Sequence, residues 1–110
     1  MDIEELLKRI KKRPGMYIEN KKIEYIYYFI LGVIYNSDHK EDDINGKFVG
    51  TFGNWLIDHI KKNIDENFTA ESLYWYHNIR KITNTDEEAY EKFFELCEEF
   101  FNEYKKLLKC

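Results

Sequence analysis

Residues 86–108 read DEEAYEKFFELCEEFFNEYKKLL, and this stretch decides the fold. Ala89, Tyr90, Phe93, Phe94, Cys97, Phe100, Phe101, Tyr104, Leu107 and Leu108 recur at intervals of three and four residues. That rhythm, sustained for about five turns, predicts one long helix with a single apolar face. Thr85 or Asp86 stands where a side-chain oxygen can cap its first turn.

Working outward, the same spacing predicts helix almost everywhere. Ile3, Leu6, Leu7 and Ile10 share one face of a first helix. Asp2 is its N-cap, Glu4 and Glu5 fill its first turn, and Lys8, Arg9, Lys11 and Lys12 its last, an order that suits the helix dipole at both ends. Pro14-Gly15 ends it, because proline disfavours helical geometry at Arg13. In a second helix over residues 23–36, Ile23, Ile26, Tyr27, Ile30 and Ile34 form the main stripe, but Tyr25, Tyr28, Phe29, Leu31 and Val33 leave it apolar nearly all round, which predicts a central position. The polar run NSDHKEDDING, residues 36–46, then reads as a loop closed by Asn45-Gly46. Phe48, Phe52, Trp55, Leu56, His59, Ile60 and Ile64 are spaced like one face of a third helix over residues 51–64. A shorter fourth helix over residues 71–82 carries Leu73, Trp75, Tyr76, Ile79 and Ile82. The expected architecture is an all-α, single-domain bundle of about five helices, with the second and fifth as its spine.

Composition narrows the function. A chain of 110 residues has room for one domain and one modest core, here supplied with nine tyrosines and eight phenylalanines. The formal charge of −4 argues against direct nucleic-acid binding, which requires a net basic surface. Cys97 lies within a helical pattern and Cys110 stands apart, so they do not make a disulfide framework. The first thirteen residues, MDIEELLKRIKKR, hold no apolar leader. Residues 25–35 are too few to cross a bilayer. The expectation is a cytoplasmic protein without membrane association.

Candidate chemistry is sparse. KRPGMYI, residues 12–18, resembles the RPGMYIG loop beside the nucleotide site in the ATPase subunit of DNA gyrase. Here Glu19 replaces the final glycine and no glycine-rich lid follows. A carboxylate at that point repels phosphate. The favoured reading is a turn at Pro14-Gly15, with Met16, Tyr17 and Ile18 packed as a plug. His39, His59 and His77 lack metal-ligand spacing, and His59 falls on an apolar stripe as a half-buried histidine. The acids at Asp38, Glu41, Asp42 and Asp43 do not fit a calcium loop. Cys97 on an apolar face should be a protonated thiol, and no serine stands in a nucleophile elbow. The chain therefore reads as a binding protein rather than an enzyme, with no catalytic residue, cofactor or metal.

Charge is distributed unevenly. Residues 86–103 hold eight acids and one base, whereas residues 1–22 hold seven bases and four acids. Glu88, Glu91, Glu95, Glu98 and Glu99 fall on the outward face of the last helix as a negative ridge. The like-charged pairs Glu87–Glu91, Glu91–Glu95 and Glu95–Glu99 each cost a few tenths of a kcal/mol. A face that tolerates this cost can steer a basic partner. Asp42 and Asp43 offer a second acidic surface, and Trp75, with Tyr74 and Tyr28, supplies candidate aromatic anchors.

In order along the chain stand RPGMYI (13–18), the Phe48, Phe52, Trp55-Leu56 pattern, a Trp75 to Ile79 helix and DEEAYEKFFELCEEF (86–100). Together they resemble small bacterial immunity proteins of contact-dependent growth inhibition and related polymorphic toxin systems. The resemblance implies a cytoplasmic antitoxin that binds the C-terminal toxin domain of a neighbouring cell's effector, a basic nuclease in many such systems. The alternative is a small helical adaptor or regulator that forms a homodimer through its aromatic second helix.

Overall fold

Asp2 opens the first helix as expected, its carboxylate accepting the Glu5 N–H at 2.8 Å. The structure, a computed structural model, describes residues 2–16, 21–34, 44–70 and 74–109. Among these residues the chain forms five helices and no strand: α1 (Ile3–Lys12), α2 (Ile23–Ile34), α3 (Ile44–Asn63), α4 (Trp75–Lys81) and α5 (Asp86–Lys109). A single 3-10 turn, Pro14–Met16, follows α1 where the proline forbids its continuation. Thr85, rather than Asp86, caps α5: its hydroxyl accepts the Glu88 N–H at 3.0 Å, and Glu88 reaches back to the Asn84 N–H at 2.9 Å. Two donors of the first turn region are satisfied reciprocally, a variant of the capping box.

The all-α bundle of the sequence reading is what forms, with one continuous core. α5 is its axis and packs against α1, α2, α3 and α4. Ala89, Tyr90, Phe93, Phe94, Cys97, Phe100 and Phe101 are all buried, together with Leu96, which the rhythm alone had not marked. Phe52 lies at the centre, edge-on to Phe93 and Phe100 with ring centroids 6.2 and 5.4 Å away. Edge-to-face contacts of this kind add stability beyond the area they bury.

α2 buries the expected stripe but not at the expected central position. It packs chiefly on α4 and α5 through Ile23, Ile26, Tyr27, Ile30 and Ile34, and its far side leaves Tyr25, Tyr28 and Val33 exposed. It is a flank of the bundle, so α5 alone serves as the spine. An all-round apolar helix has the composition of a central one, but here only one face finds neighbours among the described residues.

α3 begins at Ile44, earlier than predicted, and takes in Asn45-Gly46, which had read as the end of a loop. The reason is tertiary. Asn45 is buried, and its Oδ1 accepts the Ile3 N–H at 2.6 Å. That N–H is one of the first-turn donors of α1 with no partner inside its own helix. At the other end α3 stops at Asn63, and Ile64 is exposed rather than part of the buried stripe. Phe68, in the following connection, enters the core, while Lys81 spans the connection by donating to the Thr69 carbonyl at 2.6 Å. Met16 is 69% exposed, so it forms no plug. Tyr17 and Ile18 lie outside the described residues, as do residues 71–73 of the predicted fourth helix and residues 35–36 of the predicted second.

Candidate partner-binding surfaces

The ridge on α5 follows from its amphipathic pattern, since burying residues 89, 93, 97 and 100 turns the glutamates outward. Glu88, Glu91, Glu95, Glu98 and Glu99 are all exposed. They are not equivalent. Glu99 faces α3, where its Oε2 lies 2.7 Å from His59 Nε2. One turn on, Glu103 accepts the Trp55 indole N–H at 2.6 Å. His59 and Trp55 stack with centroids 4.6 Å apart, so these two carboxylates clamp α3 to α5. His59 is therefore the half-buried, partnered histidine that its stripe position predicts. Glu88 is engaged in the α5 cap, and Glu95 lies 3.8 Å from Lys92. Glu91 and Glu98 have no ion-pair partner among the described residues. Glu98 overlooks a cleft between α1 and α5, and Glu91 and Glu95 border a groove that reaches Lys21 and Lys22. Asp42 and Asp43, the second predicted acidic surface, and His39 lie outside the described residues.

The aromatic anchors divide. Trp75 is a packing residue: its indole stacks on Phe93 with centroids 4.7 Å apart and planes 7° from parallel. Tyr28 and Tyr74 are 59% and 52% exposed. Both rings rest edge-on against Tyr27, at 5.3 and 5.7 Å, so they are held in place although exposed. The hydrogen bond between Tyr28 and Tyr76 is the main cause that lifts the Tyr76 phenol to about 12, with burial and the nearby Glu24 charge adding and Arg80 opposing. Arg80 ties this patch to α2 and α5 through ion pairs with Glu24 and, at 3.7 Å, with Asp86. None of this was legible from spacing, because Trp75 and Tyr74 are adjacent in sequence and the helix boundary between them decides which turns inward.

Cys97 is fully inside the core, where burial pushes its thiol well above the ordinary range and keeps it protonated. Among the described residues no three histidine, cysteine or carboxylate side chains gather as a metal site, and no helix is long and apolar enough to cross a membrane. No protein-family model matches the chain, and neither curated proteins nor solved structures give a significant match.

Proposed function

We propose that this chain is an immunity protein, a cytoplasmic antitoxin that binds and blocks the toxin domain of a contact-dependent inhibition or related effector. The observation that carries the reading is the exposed acidic face of α5, on which Glu91 and Glu98 have no ion-pair partner among the described residues. A row of carboxylates on a rigid helix mimics the spacing of nucleic-acid phosphates, so a basic nuclease cleft is its natural complement. Long-range attraction sets the association rate, and desolvated aromatic side chains supply the tight contacts. Of the three candidate anchors, Tyr28 and Tyr74 are exposed and keep that role, and Trp75 does not. The resemblance of residues 13–18, 48–56, 75–79 and 86–100 to immunity proteins supports the same reading.

The test is co-expression with the toxin domain encoded beside this chain, scored by growth and by co-purification. Protection together with a one-to-one complex is the expected result. Growth arrest with no complex would remove the immunity reading. The second reading, a homodimeric adaptor, draws on a specific observation: Tyr25, Tyr28 and Val33 leave one side of α2 apolar and exposed. Sedimentation of the isolated chain separates them, a monomer favouring the inhibitor and a dimer the adaptor.

A further inference from the structure

The groove bordered by Glu91 and Glu95 is lined in part by Tyr90, which is only 5% exposed and whose buried hydroxyl is unpartnered among the described residues. Burying a hydroxyl without a partner is costly, and such groups in folded proteins call for an explanation. The ring itself is well packed, edge-on to Phe94 at 5.1 Å, so packing accounts for the ring and not for its hydroxyl. Phenylalanine would fill the same space without the penalty.

The surroundings say what chemistry would satisfy it. The groove encloses about 1000 Å³ and is open to solvent. Its described walls carry five carboxylates, including Glu87, Glu91 and Glu95, against three lysines, so the site is net negative. The Lys21 ammonium lies 6.0 Å from the Tyr90 ring centroid, the position a cation adopts over an aromatic face. A cation thus already rests on this ring, at the end of an exposed and flexible side chain that a better ligand can displace.

We propose that this groove seats an arginine side chain of the partner, its planar guanidinium donating to the Glu87 and Glu91 carboxylates and to the Tyr90 hydroxyl oxygen. Arginine fits better than lysine because its several N–H donors, fixed in one plane, can reach carboxylates and hydroxyl together. As the seat of a toxin's arginine the site rests on the inhibitory reading above. As a guanidinium site it stands independently.

The experiment is a two-dimensional amide NMR titration of the full chain with N-acetyl-argininamide, and with N-acetyl-citrullinamide as the neutral isostere. Saturable shifts confined to residues 21–22 and 86–95 are expected with arginine and not with citrulline. Tyr90→Phe should weaken arginine binding roughly tenfold at an unchanged or higher melting temperature. Lys21→Ala should tighten it by removing the resident cation. Absent or unlocalised shifts, equal shifts with citrulline, or a Tyr90→Phe chain that binds as the parent does would overturn the site. If the amide binds and the toxin domain does not, the site stands and the inhibitory reading falls. A toxin domain that binds the parent and Tyr90→Phe equally well overturns the groove as its seat and leaves inhibition intact.

Discussion

Asn45 and the Tyr28–Tyr76 pair illustrate how single polar groups set the local balance. With its Oδ1 on the Ile3 N–H, Asn45 ties the start of α3 to the start of α1 across 42 positions of sequence. Asn45→Ala leaves that N–H buried and unpaired, which should cost about 1–3 kcal/mol in urea unfolding. A variant as stable as the parent would show that the bond is replaced by solvent. The Tyr76 phenol, raised from 10.0 to about 12 chiefly by its bond to Tyr28, makes a prediction in pH. Its proton is held more tightly in the folded state than in the unfolded one. The associated stability is therefore complete below pH 10 and is lost as pH rises to about 12. Tyr28→Phe should flatten that alkaline decline, as followed by circular dichroism. An unchanged decline would assign it to other groups.

At the scale of elements, what could be read from sequence depended on whether an element carried its own contrast. α5 repeats apolar and charged positions so regularly that its extent, its exposed acids and its buried face from Ala89 to Phe101, Leu96 apart, were legible, while the burial of Leu107 and Leu108 lies outside what is described. α1 was legible for the same reason, including its Asp2 cap and the proline stop. α2 has less contrast, yet spacing marks its stripe of Ile23, Ile26, Tyr27, Ile30 and Ile34, and those are the residues it buries. What composition could not show is that Tyr25, Tyr28 and Val33 on its other side stay exposed. The start of α3 was misread because Asn-Gly is a strong local turn signal, overridden here by a hydrogen bond to a residue 42 positions away. Trp75 and Tyr74 read alike from sequence, because the helix boundary between them is not visible there. Their substitution now separates packing from exposure. Trp75→Ala should destabilise the bundle by about 3 kcal/mol through loss of its stack on Phe93. Tyr74→Ala should change stability by less than about 1 kcal/mol. Equal losses in denaturant titration would mean that Tyr74 is as structural as Trp75.

Across the whole molecule, charge is sorted by helix rather than mixed. α1, at the basic end of the chain, packs against α5, and the ion pair that joins them at 2.8 Å takes its base, Lys105, from α5 and its acid, Glu4, from α1. Much of the negative ridge nevertheless faces outward, with a formal molecular charge of −4. Such a field acts over about a Debye length, roughly 10 Å at 0.1 M salt, and fades as salt rises. Reversing Glu91, Glu95 and Glu98 to lysine adds two charges at each site and takes the formal charge from −4 to +2. The ion pair thereby lost among the described residues, Lys92 with Glu95, is weak, and the Glu87–Glu91 and Glu95–Glu99 repulsions, which become pairs of opposite charge, offset it. The fold should therefore survive with stability changed by less than about 1 kcal/mol, leaving binding as the property altered.

Calorimetric titration of the toxin domain into the parent and triple-reversal chains, at about 0.05 M and about 0.3 M salt, tests the central claim most directly. A chain that inhibits through the acidic face of α5 will bind tightly and one-to-one, lose affinity as salt rises, and lose both affinity and salt dependence on reversal. Equal affinity for the two chains, with the same response to salt, would contradict it.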